Sequence, residues 1–429
     1  MFWNKSFVVV SNLQKKIFKS SYSNDFKRSK SFQALILKSN AAKYLAIRYV
    51  LQSNLDKKNL TIDGKTTLSY LERISLLEFL KINYNNWFPQ TIQNVGSLNK
   101  NGDFKLTFTC TISDRVWQTF LNFSMQPAHD STFHPFNFGF RFTTENFFIQ
   151  KVLLLNLKNQ SLPLQKRIYY FSLENRLVDF DFLYLVKKLR IFRTIKIGIF
   201  RLLKKNYSLQ YCEDKYDTFS TLLFNVLLDG LLDFGNIFHY GYHFLLILKP
   251  IESEFVFFNN ISCFFSSIGV SFSGKYSLLS ITGFDFLYWS FTKKGNFYIS
   301  VPSTKNYFNF LGRVKYIVNN SNYGVKIKAA KLFPIIKNWY VYHKYSFKKG
   351  CSSIIFSIKK KVLKAFVKES KQDIYSAKRL LDKCFFFVDY SQSLKLSSKK
   401  NFLLAKHLVF RTGYLKFQCI HCGVNLIFS

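Results

Sequence analysis

A large excess of positive charge on a chain able to fold is the feature that most constrains this sequence. Its 429 residues include 62 Lys and Arg against 24 Asp and Glu, a formal net charge of +38 at pH 7. About 48% of the residues are hydrophobic, so the chain can bury enough apolar surface to offset the entropy lost on folding. A folded chain with this charge repels itself until an anionic partner neutralises it. The composition therefore excludes intrinsic disorder and predicts a folded protein that binds a polyanion.

Nucleic acid is the polyanion that best fits this charge, because Lys and Arg laid against phosphates release condensed counterions. Codon bias is the other explanation for the many lysines, since Phe, Lys, Asn, Ile and Tyr all have AT-rich codons. It does not explain why Asp and Glu number only 24. The same bias favours a chain encoded in an organelle genome, which needs no transit peptide.

Several functional classes are excluded by the residues that are missing or badly spaced. Seven cysteines are too few, and odd in number, for a disulfide scaffold. No run of about 18 apolar residues occurs, so no membrane partner is expected. Gly230, Gly235 and Gly241 lack the spacing of a nucleotide-binding loop, and no nucleophile elbow is present. We therefore expect no cofactor.

Apolar spacing predicts helices over residues 41–51, 70–82 and 114–125. A turn at 99–103, followed by the alternating stretch 104–110, predicts a β-hairpin. Residues 1–35 are basic and serine-rich, which is typical either of a nucleic-acid arm or of a solvated extension.

Two basic stretches with helical periodicity are predicted, at 178–205 and 357–368. For the stretch 178–205, an ordinary solvated face is the alternative to an RNA-binding role. Because their charges alternate with Leu, Ile and Phe, the apolar sides can bury while the basic sides form a folded cationic surface, which suits a structured RNA. The candidate RNA-binding residues in these stretches are Lys187, Lys188, Arg190, Arg193, Lys196, Lys359, Lys360 and Lys361.

Motifs in a characteristic order give the sequence a family resemblance over roughly residues 40–345. The first are Leu60-Thr-Ile-Asp-Gly-Lys-Thr66, Thr111-Ile-Ser-Asp-Arg-Val-Trp-Gln118 and Asn137-Phe-Gly-Phe-Arg141. Further along come Ser220-Thr-Leu-Leu-Phe-Asn-Val-Leu-Leu-Asp229, Gly283-Phe-Asp-Phe-Leu287, Val301-Pro-Ser-Thr-Lys305 and Phe333-Pro-Ile-Ile-Lys-Asn-Trp-Tyr-Val-Tyr342. Together these motifs resemble the reverse-transcriptase and maturase proteins encoded by group II introns, and in particular the degenerate maturase-like proteins of euglenoid plastids, which include a type associated with a ribosomal operon.

The resemblance implies an α+β fold with reverse-transcriptase-like fingers and palm and a helical maturase thumb. The segments implied by it are a basic N-terminal extension over 1–35, fingers over 36–145, a catalytically degenerate palm over 146–300, a thumb over 301–370 and a basic C-terminal segment over 371–429. In the thumb it implies RNA contacts by Lys337, Trp339, Tyr342 and Lys344.

The carboxylates that hold two magnesium ions in the family are replaced here. The family's Tyr-Ala-Asp-Asp hairpin reads Tyr240-Gly-Tyr-His243, so Tyr242 and His243 occupy its two Asp positions. Spacing from Arg141 puts Tyr170 at the position of the first catalytic Asp. The Gly-rich loop expected before Ser220 is replaced by bulky acidic residues. We therefore expect no catalytic residues and no reverse-transcriptase activity.

Cys419 and Cys422 form a Cys-x-x-Cys-Gly turn near the end of the chain. The pair could bind zinc, persist as a knuckle without metal, or act in redox chemistry. Only one such pair exists, so the two-pair endonuclease common in the family is not expected to follow, and we assign no metal.

The expected function is that of a non-catalytic RNA-binding factor that helps an organellar group II-type intron to splice. The alternative is a maturase-derived protein with a non-splicing role, either associated with the ribosome or in general plastid RNA metabolism. The expected partner is a structured intron RNA or another organellar RNA, with protein partners unknown. The expected location is the plastid stroma, with the mitochondrion as the alternative.

Overall fold

The chain is a mixed α and β protein, as the α+β expectation required. The computed structural model describes residues 2–53, 67–90, 93–98, 104–139, 147–158, 167–173, 180–205, 218–249, 252–270, 276–279, 282–295, 297–370 and 374–391. The motif at 60–66, the predicted turn at 99–103, Arg141 and the predicted turn at Cys419 and Cys422 lie outside these residues. No helix in the described part is long and apolar enough to cross a membrane.

Three helices open the chain: α1 (Phe2–Tyr22), α2 (Phe26–Lys38) and α3 (Asn40–Ser53). The side-chain amides of Gln14 and Gln33 donate to backbone carbonyls of a central helix, over 2.9 and 3.2 Å. Val10, Ile17 and Ile36 are fully buried in the main core. Residues 1–35 are thus not an extension, because their apolar periodicity packs them into the protein and leaves only their basic side outside.

The central helix α5 (Ile112–Asp130) contains the predicted 114–125 helix and extends it at both ends. It follows α4 (Tyr70–Asn83) and an antiparallel hairpin formed by β1 (Gln93–Leu98) and β2 (Phe104–Thr109), which confirms the predicted hairpin. Thr111 caps α5 by accepting from the backbone N–H of Asp114. The buried Asp114 carboxylate in turn accepts from Trp87 Nε1 at 2.7 Å, Gln90 N at 3.1 Å and Thr111 Oγ1 at 2.9 Å.

Replacing Asp114 by Ala should destabilise the fold by about 3 kcal/mol, because it leaves buried donors such as Trp87 Nε1 without an acceptor. Burial raises the pKa of Asp114 while its hydrogen bonds lower it. Urea denaturation at pH 7 measures the effect, with Asp114→Asn as the shape-matched control that keeps one acceptor oxygen. A loss below about 1 kcal/mol for Asp114→Ala would show that the network contributes little.

A four-stranded antiparallel sheet lies at the centre, in the order β4-β5-β3-β6. Its strands are β3 (Arg167–Ser172), β4 (Ile237–Tyr240), β5 (His243–Leu248) and β6 (Ser277–Leu279). Alternate residues of β3 and β5 enter two different cores, with Phe171 and Phe244 on one face and Ile168 and Leu245 on the other. Because both faces of the sheet are covered, the sequences of these strands are continuous runs of apolar residues.

Helices cover both faces of this sheet. α6 (Phe147–Lys158) packs on the face that carries Ile168, while α9 (Thr218–Leu227) and α10 (Glu254–Ser267) pack on the other. The stretch predicted as helical over 178–205 is two helices, α7 (Phe182–Lys188) and α8 (Arg193–Lys204). The helix breaks at Leu189, whose backbone is extended, and Leu189 and Ile191 are both buried in the core, with exposed fractions of 2% and 4%.

A second, three-stranded antiparallel sheet follows, made of β7 (Gly283–Phe286), β8 (Trp289–Lys294) and β9 (Phe297–Pro302). The alternation of Phe284, Phe286 and Tyr288 predicts that all three lie in the core. Phe284 and Phe286 are buried, whereas Tyr288 lies in the turn and is 46% exposed. Leu287 adopts a left-handed conformation in that turn, with φ of 55°.

A helical bundle completes the described chain: α11 (Thr304–Val318), α12 (Val325–Tyr342), α13 (Lys348–Ser370) and α14 (Ile374–Ser391). These four helices share one hydrophobic cluster, to which α14 contributes Ala377, Leu381, Cys384 and Phe385. The boundary expected at residue 370 therefore cuts the bundle, because the apolar side of α14 packs on α12 and α13.

Candidate nucleic-acid interface

The three degenerate positions lie around one β-hairpin. Tyr170 on β3 and His243 at the start of β5 are 73 residues apart in sequence, and antiparallel pairing of the two strands brings them together. The Tyr170 hydroxyl lies 2.7 Å from His243 Nδ1, and their rings are nearly parallel with centroids 6.0 Å apart. The polar atoms at these two positions are thus engaged with each other.

The third position, Tyr242, points to the opposite side. Its ring is 3% exposed and packs edge-on against Phe224 of α9, with centroids 5.1 Å apart. Next to it, His239 Nε2 lies 2.6 Å from the Gly241 carbonyl, and burial lowers the pKa of His239 to about 4. Tyr242 therefore serves as a core residue.

Residues from separate motifs meet beside this hairpin. The amide of Asn225, from the Ser220–Asp229 motif, donates to the Gly139 carbonyl at 2.8 Å. Phe138 N donates to the His239 carbonyl at 2.8 Å. A Cβ at Gly139 would lie 2.7 Å from Asn225 Oδ1, so only glycine fits there. The family-like residues of three segments thus form one packed junction.

The basic residues of α7 and α8 differ in how far they face solvent. Lys187 and Arg193 are exposed. Lys188 Nζ donates to the Asp229 carbonyl at 2.6 Å and lies 4.5 Å from the Tyr184 ring centroid. Arg190 stacks on Phe26 of α2 at 4.9 Å, and its Nη1 is buried without a hydrogen-bond partner. Only part of the predicted set is therefore directed outward.

Helix α2 adds cations to this surface. Burial lowers the pKa of Lys196 on α8, and the charge of Lys30 on α2 lowers it further, so the two ammonium groups lie near each other. Lys27 and Lys30 are exposed. Lys27 and Lys30 of α2 therefore continue the cationic surface of α8.

The aromatic residues predicted for RNA contact in the bundle pack against other parts of the protein. Trp339 is 7% exposed, stacks on Phe310 at 4.5 Å and donates to Asn306 Oδ1 at 2.7 Å. Tyr342 stacks on Trp289 of β8 at 4.5 Å, and burial raises its pKa. Each ring packs one element of the protein against another. These contacts within the protein account for the presence of both aromatic residues without RNA.

The lysines of the bundle face outward to different degrees. Lys344 is exposed and Lys337 is half-buried. On α13, Lys359 is half-buried and pairs with Asp382 of α14 at 3.4 Å, whereas Lys360, Lys361 and Lys364 are exposed. The exposed lysines lie on the side of α13 opposite its buried Ile358 and Val362.

Two relatives align with nearly the whole chain. "Maturase-like protein 1" of Euglena gracilis is 43% identical over 445 aligned residues, which cover 99% of this chain and 96% of the relative. "Maturase-like protein 1" of Euglena longa is 39% identical, covering 99% and 97%. The chain belongs to the maturase-like protein 1 family. Residues 1–80 also match the family described as the N-terminal domain of reverse transcriptase.

These matches confirm the resemblance to reverse-transcriptase-like maturases. The match over residues 1–80 spans α1 to α3 and most of α4, so the segment expected to be an extension lies inside the region that is similar to the N-terminal domain of reverse transcriptase.

Helix α11 of this maturase-like chain carries a cationic and aromatic face that the sequence interpretation missed. Phe308 and Tyr316 are 66% and 70% exposed, and Lys305 and Arg313 are exposed beside them. The signal was available, because at the 3.6-residue period of a helix these four residues fall on one side, opposite Phe310, Val314 and Ile317.

No group of three or more potential metal-ligating side chains exists within the described residues. Of the cysteines described there, Cys110, Cys351 and Cys384 are buried and Cys263 is exposed. Burial raises the pKa of the Cys384 thiol to about 12 and that of Cys351 to about 11, which keeps both as inert thiols.

Proposed function

We propose that this maturase-like chain is a non-catalytic RNA-binding factor that assists splicing of a group II-type intron by binding and stabilising the folded intron RNA. The observation that carries the proposal is the outward face of the bundle, where Lys360, Lys361 and Lys364 on α13 and Lys305 and Arg313 on α11 are exposed. A net charge of +38 needs such an anionic partner.

In this proposal the RNA performs the chemistry and the protein shifts a folding equilibrium. A factor that binds only the active fold of the intron stabilises that fold by mass action. The exposed lysines contact phosphates, while exposed Phe308 and Tyr316 offer surfaces on which unpaired bases can stack.

The proposed architecture is a polymerase-type hand. The sheet of β3, β4 and β5 takes the place of the palm, because β3 pairs directly with the hairpin that corresponds to the metal-binding turn. The bundle of α11 to α14 takes the place of the thumb, and residues before α6 the place of the fingers. The pairing of Tyr170 with His243 supports a palm without catalysis, since Tyr and neutral His are poor substitutes for carboxylates around magnesium.

The proposed location is a plastid, with the mitochondrion as the alternative. The relatives from Euglena and the AT-rich composition support an organelle-encoded chain.

Two measurements on the full chain test the proposal. Primer extension with template, deoxynucleotides and magnesium should give no product above a heat-inactivated control. Crosslinking in isolated organelles followed by sequencing should recover intron RNA. Templated extension would refute the loss of catalysis, and recovery of ribosomal RNA without introns would overturn the splicing role in favour of a ribosome-associated one.

A further inference from the structure

Three lysines from separate elements gather around the turn between α12 and α13. Lys151 of α6 and Lys344 of the turn place their Nζ atoms 5.5 and 6.0 Å from the centroid of the Tyr345 ring. Lys294 at the end of β8 places its Nζ 5.7 Å from the Phe347 ring centroid. Lys294 and Lys344 are exposed, and Phe347 is 39% exposed.

The turn that carries the two rings is held on both sides. The amide of Gln150, next to Lys151, donates to Ser346 Oγ at 2.7 Å and to Ser300 Oγ of β9 at 2.6 Å. Phe347 N donates to the Ser300 carbonyl at 2.7 Å. Since α6, β9 and the turn are tied together, the positions from which the lysines extend are set by the fold.

The positive charges of Lys151 and Lys344 repel each other. Burial lowers the pKa of Lys151, and the positive charge of Lys344 lowers it further. A cation held over an aromatic face also keeps less side-chain freedom, so less entropy is lost when it binds an anion. An anion placed between Lys151 and Lys344 would relieve their repulsion and complete a preorganised site.

We propose that Lys151, Lys344 and Lys294, with Tyr345 and Phe347, form a cradle for the phosphodiester backbone of an RNA strand. The inference rests on the proposed RNA-binding function and adds to it a second contact, remote in sequence from the lysines of α13. Two lysine–ring units side by side accept more than one phosphate, and the exposed edge of Phe347 offers apolar contact to a base. A strand in this cradle would touch both the three-stranded sheet and the bundle.

The test compares full-length variants for binding to a group II intron transcript between 50 and 300 mM KCl. The double variant Lys151→Ala/Lys344→Ala should bind about tenfold more weakly at 0.15 M salt, and its slope of log affinity against log salt should fall by about 2. The matched control is Lys5→Ala/Lys81→Ala, which removes two exposed lysines of α1 and α4 and should change the slope little. Tyr345→Leu should weaken binding about threefold while Tyr345→Phe retains it, because the ring holds the lysines.

The outcomes separate this inference from the proposed function. If the wild-type chain does not bind the transcript, the RNA-binding function itself fails. If it binds and the Lys360→Ala/Lys364→Ala variant is weakened while the Lys151/Lys344 variant keeps the wild-type slope, the cradle is overturned and the function stands.

Calorimetric titration with inorganic phosphate tests the other source of the same chemistry, and a variant that loses phosphate binding but keeps full RNA affinity also overturns the cradle. Melting temperatures within a few degrees of wild type establish that each variant is folded.

Discussion

Lowering the pH from 7.5 to 5 is expected to remove most of the stability of this protein. Burial lowers the pKa of His129 and His343 to about 3 and that of His239 to about 4. All three take up a proton near pH 6.5 when unfolded but stay neutral in the folded protein. The stability that they contribute is fully present above about pH 6.5 and is lost as the pH falls towards 4. At pH 5 the free energy of unfolding has fallen by about 2 kcal/mol for each histidine.

The three histidines are neutral because burial removes them from the water that would solvate the charged form, and each also makes hydrogen bonds inside the core. His129 Nε2 accepts from Arg190 N, and the charges of Arg190 and Lys196 further oppose its protonation. His343 lies between Asn306 and Ser346, which join α11 to the turn after α12. The raised pKa of Asp114 works in the opposite direction, because the folded state takes up that proton more readily.

Urea denaturation at half-unit steps from pH 5 to 8 measures this loss, and we expect a slope near 4 kcal/mol per pH unit just below pH 6. His343→Gln provides the matched control. It lowers stability at pH 7.5, but the slope of stability against pH should fall by the contribution of one proton, because one fewer histidine is protonated on unfolding. Stability that stays constant between pH 7 and 5 would contradict the assignment of these histidines as buried and neutral.

Local chemistry was sufficient to predict much of the fold. Helix α4 begins at Tyr70 because Ser69 and Glu72 form a capping box, and both residues are visible in the sequence. The hairpin around Gly241 and the alternation of Phe284 and Phe286 depend on neighbouring residues only. Such features need no knowledge of distant contacts.

The residues that sequence interpretation misplaced are those whose surroundings come from distant elements. Periodicity shows that one side of a helix is polar, but not whether another element covers it. Arg190 was predicted to face outward, yet Phe26 of α2 stacks on it. Trp339 and Tyr342 were predicted to face RNA, yet Phe310 and Trp289 cover them. The bond between Tyr170 and His243 depends on strand register across 73 residues.

The face of α13 should carry a large share of the RNA affinity. The triple variant Lys360→Glu/Lys361→Glu/Lys364→Glu should raise the Kd for a group II intron transcript on the order of 100-fold at 0.15 M salt and reduce the salt slope by about 3. These three side chains are exposed and lie in the middle of α13, so the charge change does not disturb the helix ends or the pairing of Lys359 with Asp382.

Net charge alone could produce such an effect, so the control must carry the same charge change. Lys5→Glu/Lys15→Glu/Lys81→Glu also lowers the net charge by six units, on exposed positions of α1 and α4. Long-range attraction depends on total charge and is screened beyond about 8 Å at physiological salt, whereas direct phosphate contacts depend on position. We therefore expect the control to bind within about threefold of wild type in 0.15 M salt. Equal weakening of the two variants would mean that the chain attracts RNA through its overall charge and that α13 forms no interface.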